Sequence, residues 1–186
     1  MWTGSTFSPS TFFRALPRSG GTGPAVLYYL ALAVLVAGVD LFWAVVLRPA
    51  EGAPWMERLG VPASPTDPLV GFMLSPLIML CALFIGAVLA HAPLAILGGA
   101  RHGLGTTIRV YCYAYSPALF VVVPWLGTLV ALIWTIALAI IGLREAHQTT
   151  GVKATIAVML PFLLLLMLGV LAAVLLLSGL LLLPAA

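Results

Sequence analysis

Charge is what this sequence has least of. Eight basic and five acidic side chains make up 7% of its 186 residues, while 63% are hydrophobic and the mean hydropathy is +1.20. A soluble domain carries roughly 25% charged residues, so an apolar excess of this size has to face lipid. Cysteine is scarce too. Cys81 and Cys112 lie far apart and form no C-x-x-C pair, which speaks against a thiolate metal site or a redox motif. No G-x-S-x-G elbow, H-E-x-x-H helix or paired carboxylates on one helical face occur, so neither enzyme activity nor a cofactor is expected. Basic residues stand singly at the ends of apolar runs, a topology signal that leaves no patch for nucleic acid. The ten-residue alternating segments of a membrane β-barrel are also missing.

What remains is a series of long apolar runs, and the fold class they define is all-α: a polytopic transmembrane helical bundle, most simply of five spans. A helix is the form that satisfies its own backbone hydrogen bonds in hydrocarbon. Residues 1–23 are polar, with Phe12 and Phe13 set among proline and glycine, and are expected as a cytoplasmic or interfacial segment with its aromatics dipped into the membrane. Residues 24–186 form a single transmembrane domain, with spans at about 24–47, 69–97, 110–123, 125–143 and 154–183. The stretch 110–143 is uncharged for about 34 residues. As one helix it would reach roughly 50 Å, too long for a core about 30 Å thick. Pro124-Trp125-Leu126-Gly127 divides it, giving two short spans or a hairpin dipping through one leaflet. Pro161 is the expected kink of the last span, and Thr106 or Thr107 the expected cap of the helix that follows the glycine-rich stretch 98–109.

Orientation follows from the arginines and lysines. With residues 1–23 inside, Arg14, Arg18, Arg101, Arg109, Arg144 and Lys153 fall on the cytoplasmic side, against Arg48 and Arg58 outside. That bias places the N-terminus in and the C-terminus out.

A few polar side chains interrupt the apolar background. Asp40 is an acid inside the first span, where an ionised carboxylate costs about 2.5–3.5 kcal/mol and faces a partner or a cavity. Tyr111 and Tyr115 share a helix face, and His91, near the inner end of the second span, is within reach of them. Asp40, His91, Tyr111 and Tyr115 are therefore a candidate intramembrane polar site, with structural anchoring as the plainer alternative for each. Arg101 and Arg109, in and after the glycine-rich stretch 98–105, are candidate contacts for an anionic lipid headgroup. Glu145 and His147 stand two apart, so their side chains diverge on a helix.

Phe12-Phe13, the segment Tyr113-Ala114-Tyr115-Ser116-Pro117, and the stretch 141–147 leading into Lys153-Ala154 together resemble the Yip family. These are the Ypt/Rab-interacting integral membrane proteins and their bacterial relatives. The resemblance covers about residues 10–180. It implies a five-span protein with a cytosolic N-terminus that organises membrane partners. The polar lead is only about 23 residues long and lacks the extended cytosolic segment of eukaryotic members. That departure speaks against a Rab-type GTPase as partner and for a bacterial-type relative in the cytoplasmic (inner) membrane. The expected function is a non-enzymatic scaffold or membrane-organising protein. Its partners would be the lipid bilayer, other membrane proteins or a second copy of itself. The alternative is a small transporter or channel subunit built on the intramembrane polar residues.

Overall fold

The computed structural model describes residues 1–17, 20–46 and 68–181. Arg18 and the loop that holds Arg48, Glu51, Glu57, Arg58 and Asp67 lie outside the described residues, as does the end of the last expected span. The described residues are helical throughout, in the order α1 (Trp2–Phe7), α2 (Pro9–Arg14), α3 (Gly23–Val46), α4 (Pro68–Ile96), α5 (Gly103–Ala114), a 3-10 segment (Ser116–Val122), α6 (Leu126–His147) and α7 (Gly151–Leu181). Four of them, α3, α4, α6 and α7, are long and apolar enough to cross a membrane.

The fifth expected span differs. No continuous helix covers 110–123. Instead α5 begins at Gly103, ends at Ala114, and passes into the 3-10 segment before Val123 turns extended. Pro117 is the reason. It removes an N–H and clashes with the preceding turn, so the α-helix ends and a tighter helix starts with Pro117 at its second position. Thr106 and Thr107 lie inside α5, whose cap position is His102. Neither caps the helix, because the chain already becomes helical at Gly103.

The directions of the elements define two ends. At one, the last turns of α3 meet the 3-10 segment, where Trp43 Nε1–H donates to the Val122 carbonyl (3.2 Å). The first turns of α4 lie beside Asp40 and Ala44, and α6 starts after the Trp125 turn, as the Pro124–Gly127 division leads one to expect. At the other end the close of α4, the start of α5 and the close of α6 meet around His147. Among the described residues the chain runs between the two ends as α3, α4 and α6 and once more as α5 plus the 3-10 segment, while α7 leaves from the His147 end. At 1.5 Å and 2.0 Å per residue that composite is roughly 32 Å long, enough to match its neighbours.

Two glycines on α6 allow this broken element to sit at the centre. A Cβ at Gly142 would lie 2.6 Å from Val110 Cγ1 and 3.1 Å from the Phe13 ring. A Cβ at Gly127 would collide with the Phe120 carbonyl of the 3-10 segment. Small residues at such crossings let backbones approach, which is how helices associate in lipid. The packing face of α4 is Leu83, Ala87, Ala90 and Leu94, all buried, and a Cβ at Gly86 would lie 3.6 Å from the Tyr111 ring. On α7 the buried positions Ala154, Ala157 and Val158 are all in its first half. From Phe162 to Leu175 its side chains are exposed, and a Cβ added at Gly169 would meet open space.

The polar lead is drawn into the bundle. Phe13 is 0% exposed and packs edge-on with Phe12, which in turn meets Tyr113 (ring centroids 5.1 Å). Trp134, partway along α6, donates its indole N–H to the Thr6 carbonyl (3.0 Å).

Candidate functional site

Polar side chains gather in three places, and the sequence-level candidate site is divided among them. The first is at the His147 end, where all three histidines of the chain meet. His147 closes α6 and is 0% exposed. The backbone N–H of His102 donates to its Nδ1 (3.3 Å), so a neutral His147 carries its proton on Nε2. Nε2–H then donates to Thr107 Oγ1 (3.0 Å). A hydroxyl has one proton to give, and Thr107 directs it to Nδ1 of His91 (2.8 Å). The result is a one-directional relay from His102 through His147 and Thr107 to His91. It closes α4, α5 and α6 together where their ends would otherwise splay. Arg109 extends the cluster. It is 7% exposed, donating to Thr106 Oγ1 (3.0 Å) and to the Gly20 carbonyl (3.2 Å). Arg109 is thus turned inward, whereas Arg101 in the preceding turn is exposed.

Beside this cluster Glu145 accepts from Arg14 (3.0 Å) and Arg144 (2.6 Å). Glu145 and His147 do point to different neighbours, as their spacing requires.

The second place is Ser116, in the middle of the bundle. Its hydroxyl donates to the Tyr113 carbonyl (2.6 Å), which Pro117 deprives of its helical donor. It accepts from Tyr28 of α3 (2.8 Å) and lies 2.7 Å from the Ser5 hydroxyl of α1, which also reaches the Trp2 carbonyl (3.0 Å). Its carbonyl accepts the Trp2 indole N–H (2.9 Å). One residue thereby joins α1, α3 and α5. The same device recurs in α4, where Ser75 donates to the Phe72 carbonyl (2.8 Å) that Pro76 leaves open. Ser116-Pro117 was readable in sequence as a bend that frees a carbonyl, and Ser75-Pro76 as an interruption of the second run. That Ser5, Tyr28 and Trp2 would converge on one of them was not.

Tyr111 and Tyr115 do share a face of the chain, but they serve different contacts. Tyr111 lies against Gly86. Tyr115 stacks tilted on Tyr29 (4.8 Å), and both hydroxyls turn to Met79, Tyr29 to its carbonyl (3.0 Å) and Tyr115 to its sulfur (3.9 Å).

Asp40 marks the third place, at the opposite end from His91. Its side chain is exposed on α3, six residues before the helix ends. It lines a cavity of about 270 Å³ against the start of α4 and another of about 440 Å³ toward Trp125. Asp40 and His91 therefore do not share a site. No group of three or more potential metal ligands in suitable geometry occurs among the described residues.

Apolar helices with inward polar knots and lipid-facing leucines define a polytopic α-helical membrane protein. Within that class the chain belongs to the Yip1 domain family, which it matches over residues 3–183. No curated protein and no solved structure matches it, so the assignment rests on the domain match.

Proposed function

We propose that this protein is a non-enzymatic membrane scaffold of the Yip type, residing in a bacterial cytoplasmic membrane and crossing it five times. The His147 end, with Arg14 and the start of α3 beside it, faces the cytoplasm, and the C-terminus lies outside. It organises other membrane proteins, lipids or a second copy of itself through its helix faces and its charged cytoplasmic end.

The observation that carries this reading is the closed middle of the bundle. Leu83, Ala87, Val110 and Leu138 are buried there, and no hydrogen bond among the described residues joins the histidine relay to Tyr115 or Asp40. A carrier of protons or solutes needs polar groups that communicate across the membrane. The alternative, a small transporter subunit, keeps one point in its favour, the Asp40 carboxylate at a cavity.

Two experiments separate them. A reporter that is active only outside the cytoplasm, fused after Ala186, should be active; activity of a cytoplasm-only reporter at that position would overturn the topology. Purified protein in liposomes with a pH-sensitive dye inside should show no proton flux above empty vesicles. Flux that disappears in Asp40→Asn at unchanged thermal stability would replace the scaffold by the transporter.

A further inference from the structure

The end of the molecule that holds Asp40 carries features that packing among the described residues does not use. Asp40 is exposed on the last two turns of α3, and no side chain among the described residues donates to it. Trp125 is 87% exposed and sits at φ 65, a backbone conformation that a bulky residue rarely adopts. Trp43 is fixed by its bond to Val122, one helical turn beyond Asp40. Both indoles border the 440 Å³ cavity that Asp40 also lines. From Trp43 and Phe72 a further groove of about 390 Å³ continues down α3 to Val34 and Leu35, with only apolar residues on its walls.

Each part selects a feature of the occupant. A carboxylate at this depth is costly unless a cation meets it, and indole faces attract an ammonium group. The tryptophans belong at the level of the headgroups, where an amphipathic ring is at home. The groove beneath suits an acyl chain. A free metal ion or a soluble amine would leave the groove empty, and an anionic lipid would set a negative head against the carboxylate. We propose that Asp40, Trp43 and Trp125 form a binding site for an aminophospholipid, its ammonium on the Asp40 carboxylate and a chain in the groove along α3.

The site stands independently of the scaffold reading, since it is tested on isolated protein without any partner. The full chain, purified in mild detergent and offered phosphatidylethanolamine and phosphatidylglycerol in equal amounts, is read by native mass spectrometry for retained lipid. Wild type should retain one phosphatidylethanolamine with roughly tenfold preference. Asp40→Asn should reduce that preference to near parity, and Asp40→Glu should keep it. Trp43→Leu with Trp125→Leu should weaken retention severalfold, while Leu171→Ala on the exposed part of α7 should leave it alone. A second arm uses only the wild type and so does not depend on how a variant folds. Phosphatidylethanolamine acetylated on its nitrogen keeps its shape and loses its cation, and it should be retained no better than phosphatidylglycerol. Equal retention of the acetylated and native lipids would overturn the site. So would an Asp40→Asn protein with the wild-type preference.

Discussion

α5 and α7 are opposites. α5 is twelve residues long, contains Thr106, Thr107 and Arg109, and is buried over most of its length. α7 is 31 residues long, almost wholly apolar, and exposed from Phe162 to Leu175. In water the assignments would be reversed, because apolar burial drives folding there. In a bilayer, lipid is as apolar as leucine, so hydrophobicity no longer distinguishes core from surface. What distinguishes them is whether polar groups find partners and whether backbones can approach. The interior of this protein is held by the Thr107 relay, the Ser116 node and two glycine crossings. Its leucines are mostly its surface.

The comparison can be broken most sharply at two phenylalanines. Phe13→Ala removes a ring that is fully enclosed between α2, α5 and α6, and should cost about 3 kcal/mol through the cavity it leaves. Phe162→Ala on α7 should stay within about 0.5 kcal/mol. Thermal unfolding in detergent measures both, and equal losses would mean that α7 is covered by something other than lipid or detergent.

Next comes the relay. Thr107→Val keeps the shape of the side chain and removes its hydroxyl, leaving His91 Nδ1 and His147 Nε2 without their partner. A buried polar group left so costs about 1–3 kcal/mol. Thr107→Ser restores the hydroxyl and should recover most of the loss. If Val melts like wild type, the relay contributes nothing to closing the bundle.

The two kinds of glycine sharpen the contrast further. Gly142→Ala places a methyl against Val110 and Phe13, and should cost about 1–3 kcal/mol. Gly169→Ala meets open space and improves helix propensity, so it should be neutral or stabilising by up to about 1 kcal/mol. Smallest in energy, though plain to read, is thiol reactivity. Cys81 is exposed and Cys112 buried, so a maleimide small enough to enter detergent should label Cys81 at least tenfold faster. Comparable rates would indicate that α5 is not enclosed.

The same contrast explains what was legible in the sequence. Runs facing lipid announce themselves, and α3, α4 and α7 fall on the long apolar stretches read from hydropathy. α5 did not, because Thr106, Thr107 and Arg109 make its first half look like a loop; only its end at the tyrosines was apolar enough to read. The division at Pro124–Gly127 was visible because proline and glycine interrupt an apolar run. Depth was legible as well: on the arginine and lysine count Asp40 falls in the outer half of the first span and His91 near the inner end of the second, and the structure places them at opposite ends. The three histidines had a faint signal, since each adjoins a connection assigned to the same side by the arginine and lysine count. Their joining through Thr107 depends on contacts between residues up to 45 positions apart, which no local pattern encodes.

The position of α1 and α2 bears on how the molecule is made. Ser5 meets Ser116, Thr6 meets Trp134 and Arg14 meets Glu145, at separations of 111, 128 and 131 residues. A ribosome delivers these partners only after α3 and α4 have left it. For most of its synthesis the chain must therefore carry Phe13 and Ser5 undocked at the membrane, and the first helices made are among the last to be seated. A nascent chain halted before α6 should leave this segment open to protease, and one released after α6 should protect it. Insertion into the bilayer and completion of the bundle are thus separate events in time, and the earliest part of the chain records the second.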